Sequence, residues 1–188
     1  MNMHWYHESD EVLYSQSSLV SLSYEDVNCL KTLASHNKRT RARFCAHQSP
    51  KDVVHEMVIV HEQGNYIRPH QHQFKSESFI VLEGIADVVL FDHDGNITKC
   101  IEIGELSSGY SFFCRIPDST YHTVLIQSSH LVFLEVTKGP FQISQTVFPN
   151  WAPDDNDRIQ VKKFISNLEG KVSRYLMGTD AERLPACS

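Results

Sequence analysis

The sequence lacks the features that would place it outside a reducing compartment, in a membrane or on a nucleic acid. Its five cysteines form no CxxC pair and are odd in number, which predicts free thiols and no disulfide framework. Acidic residues outnumber basic ones by 23 to 17, and the net charge of −6 disfavours a nucleic-acid partner. The chain has neither a signal-peptide pattern nor an apolar run of membrane-spanning length. We therefore expect a cytoplasmic protein with no membrane partner.

Common catalytic fingerprints are also missing. The sequence contains no GxSxG, P-loop or Rossmann motif, so it offers no direct sign of a serine hydrolase or of a nucleotide-binding enzyme. Its 188 residues are 41% hydrophobic, which is enough for one core. We expect a single small domain that binds a small molecule.

Short β-branched and aromatic runs predict many strands between about residues 53 and 136, as in a sandwich or barrel. A helix should precede them, because Ser23 resembles an N-cap and Val27 and Leu30 follow at helical spacing. A second helix is predicted over 158–168, with Gly170 as its stop. We expect an irregular N-terminal tail over 1–22, the main domain over 23–153, and a C-terminal helix and loose tail over 154–188.

The clearest chemical signal lies in segment 64–84, GNYIRPHQHQFKSESFIVLEG. His70 and His72 are two residues apart, so on a strand their imidazoles point to the same side. Glu77 has the wrong parity for that strand, and QFKS must therefore turn the chain and return the carboxylate on the next strand. His122 would arrive from a more distant strand. This donor set predicts one divalent transition metal ion (iron, manganese, nickel, zinc or copper) with open positions for substrate.

The spacing resembles the first sequence motif of the cupins, since the two glycines, His70, His72 and Glu77 occupy its fixed positions. The second cupin motif matches less completely: Pro117 and His122 are present, but Ser119 stands where the family usually has glycine. The resemblance implies an all-β cupin fold, a double-stranded β-helix or jelly-roll-like barrel, here with a short N-terminal and a C-terminal helix. It also makes a homodimer plausible, because cupin barrels often pair.

A closer resemblance, over roughly residues 39–153, is to the WbuC family of cupin-fold metalloproteins. It is carried by RARFCAHQSP at 41–50, YIRPHQH at 66–72, KSESF at 75–79, DVVLFDHDG at 87–95, IPDSTYHTV at 116–124, EVTKGPF at 135–141 and WAP at 151–153. Members of this family occur in surface-polysaccharide gene clusters, which implies a sugar-related substrate. The resemblance does not imply a known reaction.

Two neighbours of the histidines share their parity and are predicted to face the metal. Arg68 would hold a carboxylate or phosphate, and Tyr66 would donate a hydrogen bond or relay a proton. The alternatives are a structural salt bridge for Arg68, and a bulge at Pro69 that turns both side chains away.

Other polar residues are candidate ligands of an anionic substrate. Arg41 and Arg43 share a strand face, and the resemblance places their run near the barrel mouth, although exposed arginines are usually only solvated. Lys75 lies in the turn between the metal ligands. Glu135 follows an apolar strand, where a carboxylate is either a general base or the structural partner of an arginine. For the remaining histidines we expect surface or loop positions: His4, His7, His36, His55, His61, His93 and His130.

The leading hypothesis is a metal-dependent enzyme that acts on a small polar or anionic metabolite, such as a sugar or sugar nucleotide, by isomerisation or epimerisation. Tyr66 and Glu135 are its predicted catalytic residues, and Arg68, Arg41, Arg43 and Lys75 its predicted substrate ligands. The alternatives are an iron-dependent oxygenase, a non-catalytic sensor or binding module, and an architectural cupin without metal.

Overall fold

The structure is a computed structural model that describes residues 5–180. In that range the strands are β1 (Trp5–His7), β2 (Val12–Ser15), β3 (Arg41–Cys45), β4 (Val54–Glu62), β5 (Gln71–His72), β6 (Glu77–Glu83), β7 (Ile85–Phe91), β8 (Ile97–Gly104), β9 (Phe113–Ile116), β10 (Tyr121–Ile126), β11 (His130–Lys138) and β12 (Thr146–Val147). The α-helices are α1 (Tyr24–His36) and α2 (Arg158–Asp180), and a 3-10 turn spans Ile143–Gln145.

Two sheets face each other around the main core. The larger has the strand order β1-β2-β3-β4-β11-β6-β9 and the smaller β10-β7-β8, while β5 and β12 form a separate short ladder. Met57, Phe79 and Phe133 of the larger sheet pack in one cluster with Val88 and Val124 of the smaller sheet. The prediction of an all-β cupin double-stranded β-helix with an N-terminal and a C-terminal helix is confirmed.

Helix α1 covers the outer face of the larger sheet. Ser23 caps its first turn, and the Asp26 carboxylate accepts a hydrogen bond from the Ser23 backbone N–H, a capping box that satisfies two N–H groups at the helix start. Leu30 is 1% exposed and packs with Phe44 of β3 and Val58 of β4. The predicted start of this helix is confirmed, and its packing holds β3 and β4 in place from outside.

Helix α2 covers the smaller sheet and is longer than predicted. Gly170 does not stop it, because Leu168 and Val172 on either side of the glycine are buried against Val89 and Phe91. Packing at two turns offsets the roughly 1 kcal/mol that a glycine costs inside a helix. The expected loose tail is therefore wrong for residues up to 180, while 181–188 lie outside the described residues. In residues 5–180 no helix is both long and apolar enough to cross a membrane.

The N-terminal segment is also more ordered than predicted. Instead of an irregular tail, residues 5–7 and 12–15 form strands, and β2 pairs in parallel with β3. Leu13 is buried on one side of β2 and Tyr14 on the other. The edge of β3 supplies the backbone hydrogen-bond partners of β2, so β2 forms without a strong alternation of apolar and polar residues in its own sequence. The domain boundaries stay a prediction.

Replacing Leu30 by alanine should lower the free energy of unfolding by about 2–5 kcal/mol, because it opens a cavity between α1 and the larger sheet. Leu19→Ala is the matched control, since Leu19 is 86% exposed and its loss should cost less than about 0.5 kcal/mol. Urea unfolding at equilibrium measures both values. Equal effects of the two substitutions would contradict this packing of α1.

Candidate metal centre

Two of the predicted ligands are held face to face by the backbone. His70 and His122 form an isolated antiparallel bridge, in which the N–H of each residue donates to the carbonyl of the other at 3.1 and 2.9 Å. Such a reciprocal pair fixes both side chains on the same side of the ladder. The two imidazole rings consequently lie 4.5 Å apart, centroid to centroid.

The other two ligands complete the cluster. Glu77 opens β6 after the turn at 73–76, as predicted, and is 4% exposed. Its carboxylate contacts Nε2 of His72 and lies 3.5 Å from Nε2 of His122. The ligand atoms of His70, Glu77 and His122 all lie within 4.8 Å of one another, while His72 flanks this trio through Glu77. Among residues 5–180 this is the single group of that kind.

Backbone conformation explains the fixed glycines of the motif and one departure from it. Gly84 has φ +91°, and a Cβ there would lie 2.1 Å from the carbonyl oxygen of His130, so a side chain cannot fit. Ser119 has φ +56°, in the left-handed region where the cupin pattern places glycine, and its N–H donates to the His72 carbonyl at 2.7 Å. Serine in this conformation costs about 1 kcal/mol, which the bond to the ligand strand helps to offset.

Hydrogen bonds to Nδ1 orient the three imidazoles. His70 Nδ1 donates to the Arg68 carbonyl at 2.8 Å, and His122 Nδ1 donates to the Thr120 carbonyl at 2.9 Å. His72 Nδ1 lies 3.1 Å from the Thr146 hydroxyl. A proton held at Nδ1 leaves Nε2 as the lone-pair atom, and histidines that bind metals are oriented in this way.

One buried atom tests whether a metal fits. His122 Nε2 is buried and makes no hydrogen bond within the described residues, although an unpaired buried nitrogen is costly. A divalent ion between three imidazoles and a carboxylate would satisfy it. The residues present therefore fit a transition metal ion, as the sequence predicts.

The charges of the cluster also suit a cation. Burial would raise the pKa of Glu77, but His122 and His72 beside it hold that pKa well below its ordinary value. Burial, together with the neighbouring His122, lowers the pKa of His70 to about 3. Burial also tends to lower the pKa of His122, but the Glu77 carboxylate raises it above the ordinary value. Glu77 therefore supplies a negative charge among the imidazoles, which is the charge that a cation requires.

The cluster opens into a cavity of about 490 Å³ inside the barrel. The register of the larger sheet determines which side chains form the wall of the cavity. Thr137 on β11 lies opposite both Glu77 on β6 and His55 on β4. Glu135, two residues before Thr137, points to the same side of β11. Because neighbouring strands are about 4.8 Å apart, Glu135 lies one strand from the metal ligand Glu77.

Glu135 therefore lines the cavity, as the hypothesis of a general base requires. Burial, and then the charge of Glu77, raises the pKa of Glu135 to about 8, although Arg43 and Lys75 partly oppose the shift. The side chain is enclosed by protein but still reaches the cavity. A carboxyl group that titrates near neutral pH is suited to proton transfer, and its catalytic role stays a prediction.

Three of the predicted substrate ligands also line the cavity, namely Arg41, Arg43 and Lys75. Arg41 is engaged by the Glu11 carboxylate at 2.7 Å. Arg43 and Lys75 form no ion pair with any residue in 5–180. Lys75 is 8% exposed. Its ammonium group lies 6.0 Å from the centre of the Phe141 ring. Two cations that form no ion pair within residues 5–180 therefore face the cavity.

Tyr66 and Arg68 are not brought to the cavity, so the prediction that they face the metal is wrong. The Tyr66 hydroxyl donates to the Pro153 carbonyl at 3.0 Å, and Arg68 pairs with Asp154 at 2.8 Å. Residues 65–69 are not part of a strand, and Pro69 cannot donate to a ladder, so strand parity does not extend back from His70. The alternative prediction, that Arg68 forms a structural salt bridge, is confirmed.

Two histidines that we expected in surface or loop positions are buried instead. His55 and His61 lie on β4 and line the cavity. They alternate with the apolar Met57 and Ile59, and this period of two is a signal that both point inward. His4 lies outside the described residues.

Comparison with protein families gives one match. Residues 22–103 match a family described as a domain of unknown function, DUF6016. The match covers less than half of the chain; it includes Arg43, Lys75 and Glu77 but ends before His122 and Glu135. The narrower resemblance to the WbuC family stays a prediction. No curated protein matches the chain.

Several solved structures of cupin-fold proteins resemble the chain at low identity. Oxalate decarboxylase from Lactobacillus farciminis is 18% identical over 52% of this chain and 27% of its own, with a TM-score of 0.42. CapF from Staphylococcus aureus, a capsular polysaccharide assembling protein, is 18% identical over 60% of this chain and 32% of its own, with a TM-score of 0.47. Protein SO0799 from Shewanella oneidensis is 10% identical over 56% of this chain and 72% of its own, with a TM-score of 0.47. The chain thus spans little more than a quarter of the oxalate decarboxylase chain.

Replacing His122 by alanine should remove the bound ion, because it takes away one of the three converging donors. Elemental analysis of freshly purified protein should find close to one transition metal ion per chain, and almost none in the variant. His36→Ala is the control, since His36 is exposed on α1 and should leave the metal content unchanged. Equal metal content in all three proteins would contradict a metal centre at His122.

Replacing Glu135 by glutamine should change how stability depends on pH. The Glu135 carboxyl group has a pKa of about 8 in the folded protein and about 4.3 in the unfolded chain. Between these two pH values the folded protein keeps the proton and the unfolded chain loses it. The free energy of unfolding of the wild type therefore falls as pH rises through that window. The metal-free Glu135→Gln variant does not show this decrease in the free energy of unfolding, which amounts to about 1.4 kcal/mol for each unit of pKa shift. Its free energy of unfolding, relative to wild type, should therefore increase from about pH 5 to about pH 9.

Urea unfolding at several pH values measures this difference. Glu105→Gln, at an exposed position, should run parallel to wild type. Parallel curves for Glu135→Gln as well would show that Glu135 has an ordinary pKa.

Proposed function

We propose that the chain is a metal-dependent enzyme that acts on a small anionic metabolite, such as a sugar or sugar nucleotide, by isomerisation or epimerisation. The observation that carries this proposal is a single cavity that holds a metal-type donor cluster, a carboxyl group with a pKa near 8 and two cations that form no ion pair within residues 5–180. A structural metal site would need neither the cavity nor the titrating carboxyl group. The resemblance to the WbuC family motivates the sugar-related substrate.

Each residue has a distinct part in this proposal. His70, His72, His122 and Glu77 would hold the ion, which when bound polarises a carbonyl or hydroxyl oxygen of the substrate. Arg43 and Lys75 supply the positive charge that selects an anionic substrate and orients it. The apolar part of the cavity wall, which includes Ile59, Phe79 and Phe133, excludes water from the ligand.

Glu135 carries out the proton transfer. In its ionised form it takes a proton from the carbon next to the substrate carbonyl, and the electron pair of the broken C–H bond moves toward the carbonyl oxygen. Return of the proton from Glu135 to the former carbonyl carbon, while the neighbouring hydroxyl proton moves to the former carbonyl oxygen, gives an isomer. Protonation of the original carbon on its opposite face gives an epimer. A pKa of about 8 leaves both forms of the carboxyl group accessible near neutral pH.

Two other functions fit the same donor set. Three imidazoles and a carboxylate also suit iron in an oxygenase that binds substrate and oxygen together. A sensor would use the same cavity to bind a metabolite without changing it, and would pass the signal to a partner protein. We further propose a cytoplasmic setting and a homodimer, the latter by resemblance to other cupins.

The test begins with the metal form identified by elemental analysis. Sugar nucleotides, sugar phosphates and small carboxylates are screened by their effect on the unfolding temperature, which rises when a ligand binds the folded state. Each ligand found is then incubated in deuterated water. We expect deuterium in the recovered compound, no oxygen uptake, and a 10²- to 10⁴-fold slower exchange in Glu135→Gln, with Glu105→Gln as control.

The other outcomes separate the alternatives. Oxygen uptake with a compound that is consumed would establish the oxygenase, and binding without exchange or turnover would favour the sensor. No stabilisation by any member of the panel would count against this substrate class.

A further inference from the structure

Arg43 belongs to a wall of the cavity remote from the metal ligands. It lies on β3, and the strand order β3-β4-β11-β6 separates it by three steps from Glu77 on β6. At about 4.8 Å per step, the two positions are roughly 14 Å apart along the sheet. Glu135 on β11 lies between them, and one continuous cavity is lined by all three residues.

The guanidinium of Arg43 forms no ion pair within residues 5–180. Its Nε is buried without a hydrogen bond to any of these residues. By contrast, Arg41 on the same face of β3 is paired with Glu11, and Arg68 with Asp154. Arg43 is half-buried, but leaving its buried Nε without a partner is costly, so this exception points to an anionic ligand in the cavity.

Two further polar groups stand beside Arg43. Tyr14 lies on β2, next to β3, and its ring packs edge-on against His47 at 5.4 Å, just past the end of β3. Both side chains are buried and both line the cavity. The hydroxyl of Tyr14 carries a proton, since burial raises its pKa to about 12, and His47 uses Nδ1 for the Glu56 backbone, which leaves Nε2 free.

We propose that Arg43, Tyr14 and His47 form an oxyanion-binding position at the end of the cavity remote from the metal centre. Its ligand is a carboxylate or a phosphate group, held by the guanidinium and by two neutral donors. The substrate is then elongated: its anionic group lies at Arg43, and its reacting carbon lies near Glu135 and the metal ligands. This inference refines the proposed function by naming where the anionic end binds, and it rests on the proposed function only for the reaction at the other end.

Calorimetric titration of the full chain with inorganic phosphate, and separately with malonate, tests this position. Arg43→Met should weaken binding roughly 10- to 100-fold, as expected for the loss of a charged hydrogen-bonding partner, whereas Tyr14→Phe should weaken it roughly 2- to 10-fold. Tyr6→Phe is the matched control, because Tyr6 stacks on Tyr14 at 5.6 Å but does not line the cavity. It should bind both anions like wild type.

Further variants keep the result interpretable. Arg43→Lys preserves the charge and should bind better than Arg43→Met, which separates anion binding from a folding defect. His122→Ala removes the metal centre and should still bind the anion. Binding of phosphate alone or of malonate alone supports the proposal and identifies the anion class.

Three outcomes overturn the inference: neither anion binds the wild type, Arg43→Met binds as tightly as wild type, or binding disappears in His122→Ala because the anion sits on the metal. Failure of the proposed function looks different. In that case the protein lacks metal or turns over no ligand, yet the anion still binds at Arg43.

Discussion

The pair of backbone hydrogen bonds between His70 and His122 is the constraint on which the site depends. It joins the segment before β5 to β10, two parts of the chain more than 50 residues apart, and it places both imidazoles on one side. His72 follows by strand alternation, and the turn at 73–76 then brings Glu77 under the rings from the larger sheet. Without this bridge His70 would have no ladder partner, and His72 would lie on a strand with only two residues of ladder, too little to fix their positions.

Two of the carboxyl groups that line the cavity have pKa values shifted in opposite directions. Glu77 is surrounded by imidazoles, which hold its pKa well below the ordinary range, and it remains an anion. Glu135 is one strand away, without an ion pair in residues 5–180, and burial together with the charge of Glu77 raises its pKa to about 8. Such a separation of pKa values suits the proposed roles, in which Glu77 is an anionic metal ligand and Glu135 transfers protons. The ionised state of Glu77 is thus one reason why Glu135 keeps its proton.

The sequence predicts that His70, His72 and Glu77 come together, because they stand at fixed spacing between two glycines with positive φ. The prediction fails where the alternation of side chains on a strand is assumed to continue beyond the end of that strand. The irregular stretch before His70 turns Tyr66 and Arg68 toward residues 152–154. Prediction also fails where tertiary contacts decide the outcome, as in β2, which an existing sheet edge recruits, and in α2, which continues through Gly170. His55 and His61 could have been placed inside from their alternation with Met57 and Ile59, had that pattern been weighed against the usual exposure of histidine.

The division of the cavity into two walls has a consequence for specificity. The candidate metal ligands lie on β5, β6 and β10 and at the His70 bridge, whereas Arg43, Tyr14 and His47 lie on or next to β2 and β3, on the far side of β4 and β11. Side chains three strands apart share no direct contact, so substitutions on one wall should act almost independently of those on the other. The identity of the metal and the identity of the anionic group are therefore separate properties of this barrel. In the proposed function Glu135, which lies between the walls, is the residue nearest both to the metal ligands and to a ligand bound at Arg43.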